Sequence, residues 1–279
     1  MSYTFAVLFD VSASVLANTR LSDDYNVIAL AAPEIARAAA PGQFVMIRVA
    51  TSGDPLLRRP FSIFQVLRDH GAVTGLTLLN KRVGIGTSLL FNARPGDAIG
   101  CLGPLGRPFM PVDPPAEAWM IAGGVGLAPF VTLAEALKQR GTPATLFYGG
   151  RRATDLFHAD DFVPLGVTLA LTTEDGSRGE HGRVTRPLER ALASADPSRQ
   201  ISLYACGPTP MMRAVAALGE RYARPVFVSL EPMMGCGMGG CYSCVVRVKR
   251  ADDAPHFVRA CLEGPVFDAR HVVWSELVH

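Results

Sequence analysis

The sequence predicts an antiparallel β barrel followed by an α/β domain with a parallel sheet, and then a small cysteine-rich C-terminal module. Three regions of different texture along the 279 residues carry this reading. Up to about residue 112, short apolar runs are separated by Gly, Pro and Asp, the pattern of strands joined by tight turns. From Trp119 to about residue 225, buried-strand runs alternate with amphipathic stretches, which implies a parallel sheet with helices on both faces. Beyond that the chain is rich in Gly and Cys, then short-stranded. The domains expected are 1–112, 113–225 and 226–279, with Asp113-Pro114-Pro115 as the linker.

In the first region the strand candidates are NVIALAAP (26–33), GQFVMIRVA (42–50), PFSIFQVLR (60–68), VTGLTLLNKRV (73–83) and GDAIGCLGP (96–104). One helix, TSLLFNA (87–93), interrupts them and stops at Arg94-Pro95-Gly96. In the second region WMIAG, ATLFYGG (144–150), VTLALTTED (167–175) and ISLYACGP (201–208) read as buried strands. Between and after them, APFVTLAEALKQRG (128–141), TRPLERALASA (185–195) and PMMRAVAALGERYA (210–223) read as helices.

Composition narrows the function. Hydrophobic residues make up 49% and charged residues 19%, which suits packed cores and argues against disorder. The net charge of +2 and the lack of any Lys/Arg run argue against nucleic acid as a partner. No apolar run is long enough for a membrane span. The N-terminal MSYTFAVLFDVSASVLANTR has no early basic residue, and Asp10 breaks its apolar stretch. It reads as mature protein, so a cytoplasmic chain is expected. In a reducing compartment clustered cysteines point to a metal site rather than to disulfides.

Cys236, Cys241, Cys244 and Cys261 form such a cluster, in the pattern C-x4-C-x2-C-x16-C. The first three have the plant-type [2Fe–2S] spacing. Two bridged irons need four thiolates converging from different sides. Gly235, Gly237, Gly239 and Gly240 give the loop the freedom to wrap around them. The alternative is structural zinc, although four-cysteine zinc sites usually use two C-x2-C knuckles and only one is present. Cys101 reads as a small core residue.

Four further motifs could hold anionic or planar ligands. Arg59-Pro60-Phe61-Ser62 puts a guanidinium on a barrel strand, where it can pair with a phosphate while Ser62 reaches a flavin edge; the alternative is a strand start with a solvated Arg. Val83-Gly84-Ile85-Gly86-Thr87 enters a helix, so its free N–H groups suit a diphosphate; it could also be a plain capped turn. Gly123-Gly124-Val125-Gly126-Leu127-Ala128-Pro129 lies between a strand and a helix, as a dinucleotide loop does, with Pro129 where the third glycine would fall. Cys206-Gly207-Pro208 ends a strand at the edge where parallel sheets bind ligands, although a buried thiol is the simpler reading of Cys206.

Taken in order, RPFS, VGIGT, GPLG, GGVGLAP, TTEDGSRG, ACGPTPMM, CGMGGCYSC and RACLEGPVF resemble one family. It is the electron-transfer subunit of dihydroorotate dehydrogenase B, in the ferredoxin–NADP reductase superfamily. The resemblance covers almost the whole chain and is most specific at residues 231–246 and 259–267. It implies a flavin-binding barrel with FAD held by Arg59, Pro60, Phe61 and Ser62, and with Gly84 and Thr87 at the diphosphate. It implies a nucleotide-binding domain with NAD(H) at Gly124, Gly126 and the Cys206–Pro208 strand end, and a C-terminal [2Fe–2S] module. Glu174, Asp175 and Gly176 match an acidic turn on the nucleotide side. Phe61 departs from the branched aliphatic residue expected there.

The resemblance also implies a hetero-oligomer, in which an FMN-containing dehydrogenase subunit oxidises the substrate and this chain passes the electrons to NAD. A flavin can exchange two electrons with NAD and one with the cluster, so it belongs between them. A reductase subunit serving another enzyme shares most of the pattern. Arg151 and Arg152, after the second strand of the α/β region, leave NAD against NADP open.

Overall fold

The computed structural model describes residues 7–49, 55–249 and 254–277; what was expected of residues 1–6 and of Ala50 lies outside them. The first sheet has seven strands: β1 (Phe9–Arg20), β2 (Tyr25–Ala31), β3 (Phe44–Arg48), β4 (Arg59–Ser62), β5 (Gln65–Asp69), β6 (Ala72–Lys81) and β7 (Ala98–Leu105). They are antiparallel, in the order β4-β3-β7-β1-β2-β6-β5. The two outer strands, β4 and β5, are consecutive in the chain, with only Ile63 and Phe64 between them. The sheet therefore curls until its edges meet. At the seam Ile63 N–H donates to Gln43 O on the β3 side (3.1 Å), and Phe64 N–H donates to Thr77 O on β6 (2.9 Å). Inward side chains such as Val15, Ile28, Leu30, Ile47 and Leu78 fill the barrel. Cys101 is wholly buried among them, and desolvation pushes its thiol up to about 12.

Three elements differ from the sequence expectation. β1 lies in the middle of the sheet but was not foreseen, because Ser and Asn blur its alternation and it begins beside the chain terminus. PFSIFQVLR divides into β4 and β5 at the seam. NVIALAAP ends one strand and also starts a helix, α1 (Pro33–Ala38), because proline with its fixed φ suits a first helical turn.

The second sheet contains β8 (Glu117–Gly123), β9 (Ala144–Gly150), β10 (Val167–Thr173), β11 (Glu180–His181), β12 (Ile201–Cys206) and β13 (Val226–Ser229). After these come β14 (Val245–Lys249), β15 (Pro255–Arg259) and β16 (Val266–Asp268). The sheet order is β11-β10-β9-β8-β12-β13-β16, parallel throughout except where β16 returns against β13. The remaining helices are α2 (Ile85–Asn92), α3 (Phe130–Arg140), α4 (Thr185–Ser194), α5 (Thr209–Arg221) and the single turn α6 (Ala260–Glu263). Because β13 and β16 join this sheet, the α/β unit extends past the boundary drawn at residue 225. The cysteine-rich part is the segment between those strands, and it contains the antiparallel β14–β15 pair. One buried cluster joins all parts: Met46 and Leu105 from the barrel, Trp119 and Leu203 from the sheet, Val246 and Val258 from the hairpin. Just before the linker, Phe109 stacks on Phe130 and meets Tyr204 edge-on, while Tyr204 Oη donates to Met110 O at 2.8 Å.

Helix α2 is moored by a ladder of amides. Asn80 Nδ2 donates to Asn26 Oδ1 (2.7 Å) and to Thr87 O in the helix (3.0 Å). Asn26 Nδ2 donates to Asn18 Oδ1 (2.6 Å), and Asn18 Nδ2 reaches the last carbonyls of the helix at Leu90, Phe91 and Ala93. β1 and β6 thus bond carbonyls towards both ends of one short helix that would be marginal alone, and Asn26 on β2 links the two. Asn26 is fully buried. Asn26→Ala should therefore cost about 1–3 kcal/mol, the usual penalty for stranding buried polar groups. The expected readout is a lower urea midpoint with an unchanged slope; an unchanged midpoint would show that the remaining amides re-pair.

Candidate functional site

The second sheet reverses direction of growth between β8 and β12, and such a switch point opens a crevice at the carboxyl ends of the strands. The two strand ends touch there through bare backbone. A β-carbon at Gly126 would stand 2.2 Å from the Cys206 carbonyl oxygen, so the position admits no side chain. Gly124 has a φ of 55° and turns the chain out of β8 into a 3-10 turn, Gly124–Leu127. Pro129 follows, and α3 begins at Phe130 rather than at Ala128 as the sequence suggested. On the facing strand, Pro208 lies against Gly123 and precedes α5. Gly124, Gly126, Cys206, Gly207 and Pro208 are thereby brought to one crevice.

Cys206 is fully buried, and its Sγ–H donates to Glu231 Oε1 at 3.8 Å. Burial pushes the thiol far up, and the neighbouring carboxylate adds to this. Glu231 is open to solvent yet ringed by protein, and desolvation raises its carboxyl as well. Both groups therefore hold protons more tightly than in water. Sequence reasoning missed Glu231; the available signal was an acidic residue directly after the buried run VFVSL.

At the far end of the same edge, the acidic turn and the arginine pair meet. Glu174 N–H donates to Gly150 O and Asp175 N–H to Arg151 O. The Ser177 hydroxyl and N–H both bond the Asp175 carboxylate and hold its pKa down.

On the barrel, Arg59, Pro60, Phe61 and Ser62 constitute β4 and are all half-buried. Phe61 packs against the barrel core. Arg59 Nη1 donates to Leu57 O (2.8 Å) and Arg58 O (3.2 Å), which fixes the guanidinium. A β-carbon placed at Gly86 would lie 3.4 Å from Arg59 Cγ, so the turn before α2 sits over the arginine stem. Thr87 is in the first turn of the helix, not at its cap. Its hydroxyl accepts from Val83 N–H (2.8 Å) and Gly84 N–H (3.0 Å), and Gly84 is the cap residue, in extended conformation. The first-turn N–H groups of α2 lack intrahelical partners and lie next to a fixed cation, an arrangement suited to phosphate.

The cysteine loop packs on the same barrel. Gly237 has a φ of 74°, and a β-carbon there would meet Met46 Cγ of β3 at 2.4 Å. Gly235 lies beside Leu57, two residues before Arg59. All six cysteines are free thiols. Cys241 lies beside Cys236, and Ser243 hydrogen bonds lower its thiol to about 6. Cys261 lies beside Cys244 and within electrostatic reach of Cys236, and burial pushes its thiol up to about 12. Met238 N–H donates to Cys236 Sγ at 3.4 Å. The β14–β15 register sets Val245 opposite Arg259, and Ala260 N–H donates to Cys244 O, so the third and fourth cysteines become neighbours. Among the described residues, no three His, Cys, Asp or Glu side chains gather around a single ion position. Likewise, no described helix is long and apolar enough to cross a membrane.

Comparison with known proteins places these features in a family. The model for the iron–sulfur cluster binding domain of dihydroorotate dehydrogenase B matches residues 231–273. That for the oxidoreductase NAD-binding domain matches residues 120–217. A structure of the NADH-dependent reduced ferredoxin–NADP oxidoreductase, studied for flavin-based electron bifurcation, has a TM-score of 0.82 at 29% identity, covering 96% of this chain and 91% of that one. A ferredoxin NADP+ reductase from Neisseria gonorrhoeae with bound FAD and NADP shares the fold, with a TM-score of 0.64 at 19% identity over 76% of this chain and 91% of that one. The electron transfer subunit of dihydroorotate dehydrogenase B (NAD(+)) from Geobacillus kaustophilus is 41% identical over 84% of this chain and 86% of its own length. The corresponding subunit from Desulforamulus reducens is 38% identical over 94% of this chain and 98% of its own length. With relatives this similar over nearly their whole length, the chain belongs to the family of dihydroorotate dehydrogenase B electron-transfer subunits.

Proposed function

We propose that this chain relays electrons between NAD and an FMN-containing dihydroorotate dehydrogenase subunit, in pyrimidine biosynthesis, through a [2Fe–2S] cluster and FAD. The observation that carries the proposal is the seating of the cysteine loop on the barrel, against β3 and beside the start of β4, where Arg59 lies. Glu231, beside the nucleotide crevice, leads into that loop within five residues. Three sites therefore follow one another along a short path.

The four thiols support a two-iron cluster by falling into two pairs, Cys236 with Cys241 and Cys244 with Cys261. Arg59 and the first turn of α2 would hold the FAD diphosphate, and Pro60, Phe61 and Ser62 would lie along its ring. Gly84 closes the turn, and Thr87 keeps it shaped through the hydrogen bonds to Val83 and Gly84. Gly124 and Gly126 would let a dinucleotide approach the backbone, and the strand end Cys206–Gly207–Pro208 would border the nicotinamide, with the Cys206 thiol buried beneath it. When bound, FAD supplies the change from two-electron to one-electron transfer. Cys206 contributes a buried thiol beneath the crevice, and Glu231 stands beside it with its carboxyl raised by desolvation.

The hetero-oligomer follows the names of the relatives, which are subunits. Met233, Met238 and Tyr242 are exposed along the cysteine loop and give a partner an apolar surface. A cytoplasmic setting agrees with the free thiols. The likeness to an NADH-dependent ferredoxin–NADP oxidoreductase supports a second reading, a reductase subunit serving another enzyme.

Serine at Cys236, Cys241, Cys244 or Cys261 should weaken or abolish the EPR signal of the reduced cluster, whereas Cys101→Ser should leave it intact. Full cluster content in Cys261→Ser would remove Cys261 from the ligand set. Arg59→Ala should lose flavin on dilution, because charge-assisted contacts contribute about 1.5–3 kcal/mol, roughly ten- to a hundredfold in affinity; unchanged retention would make Arg59 a surface charge.

The chain alone should pass electrons from NADH to ferricyanide. It should not reduce NAD+ with dihydroorotate until the FMN-containing dehydrogenase is added. Dihydroorotate turnover by the isolated chain would refute the partner model. Failure with every dehydrogenase of the same cell, alongside healthy ferricyanide reduction, would favour the reductase reading.

A further inference from the structure

We propose that Arg259 clasps the two cysteine-bearing segments together and places a fixed positive charge beside the cluster; this rests on the [2Fe–2S] reading above. Arg259 is the last residue of β15, two positions before Cys261, and stands opposite Val245, which follows Cys244. Its own strand thus belongs to the Cys244–Cys261 pair. Its side chain reaches the other pair. Nη1 donates to Gly239 O at 2.8 Å, and the guanidinium carbon lies 5.0 Å from the centre of the Tyr242 ring.

Gly239 and Tyr242 flank Cys241 on either side. Both have left-handed backbones, with φ of 80° and 58°. For tyrosine that conformation is unfavourable and persists only where its surroundings hold it. The tyrosine ring is exposed, so the face covered by Arg259 is a principal contact holding it. Other hydrogen bonds of the loop run within it, from Gly235 N–H to Ser243 Oγ and from Met238 N–H to Cys236 Sγ. They shape the loop, while its link to the fourth-cysteine segment runs through Gly239, whose N–H faces the Cys261 thiol and whose carbonyl takes the Arg259 bond. Leu262, next to Cys261, packs so close to Gly239 that a β-carbon there would lie 2.5 Å from Leu262 Cδ1; this apolar contact runs beside the Arg259 bond.

The planar fork of arginine can bond a carbonyl and stack on a ring together, whereas one lysine ammonium cannot do both with the same geometry. The charge has a second consequence. Four thiolates around two irons give a net negative centre, and it gains one more negative charge on reduction. A guanidinium held at the loop favours the reduced form and raises the potential.

The test compares wild type, Arg259→Lys and Arg259→Gln, each reconstituted with iron and sulfide. The readouts are iron retention against a chelator and the cluster midpoint in an EPR-monitored titration. Arg259→Gln should lose iron faster and hold about tenfold fewer reduced clusters at a fixed ambient potential, a shift of about 59 mV for one electron. Arg259→Lys should restore the potential towards wild type while still losing iron faster. A Gln variant matching wild type in both readouts overturns the proposal. So does faster iron loss in both variants with no change in potential, which would leave Arg259 a packing residue only. If Arg259→Gln takes up no cluster, the Lys variant decides: wild-type chelator resistance there refutes the clasp. A wild-type chain that binds no iron and sulfide would instead sink the [2Fe–2S] reading itself.

Discussion

The contact between two bare backbones at the centre of the second sheet constrains most of what surrounds it. β8 and β12 are neighbours in space although the whole β9–α4 excursion separates them in sequence. Their ends can lie side by side only because Gly126 offers no side chain to the Cys206 carbonyl. This proximity opens the crevice, sets the directions in which α3 and α5 leave it, and brings Cys206 under Glu231. Glu231 is also the point at which the chain leaves the sheet for the cysteine loop. A bulkier residue at position 126 would separate the strands and, through them, the loop and the barrel face it rests on.

The barrel side works by a different kind of force. Helix α2 is not held by apolar burial alone, because it is short and its outer residues Ile85 and Leu89 are exposed. Side-chain amides on β1 and β6, joined through Asn26 on β2, bond its carbonyls and hold it in place. Directional bonds of this kind fix the position of the helix more narrowly than greasy contact would. That precision suits a helix whose first turn must present N–H groups beside Arg59.

Local pattern made some of this legible in the sequence, and spatial pairing hid the rest. The cysteine spacing, the glycines before helices and the strand–helix alternation are written in consecutive residues, so the barrel, the parallel sheet and the cluster loop could be anticipated. Other features depend on residues far apart in the chain. Asn18, Asn26 and Asn80 look like ordinary strand asparagines until three strands align them. Arg59 and Gly86 meet only across the closed sheet. Glu231 follows a buried strand and gives no hint of the thiol beside it. β1 is hard to read because Ser12 and Ser14 point outward and the polar Asn18 breaks its apolar alternation, and β13 and β16 read as part of the C-terminal module because a hydrogen-bonded edge leaves no mark in composition.

The way β16 returns has one more consequence. The chain leaves the sheet at β13, builds the whole cysteine-bearing segment, and comes back to the same edge, with Ser229 directly opposite Val266. The segment's two ends are thus held a strand's width apart by the host sheet itself. Topologically it is an insertion into a nucleotide-binding unit, not a tail attached to one. A fold built this way can lengthen, shorten or exchange its electron-carrying insert while the two anchoring strands keep their partners. The wiring and the nucleotide pocket are then separately variable parts of one molecule.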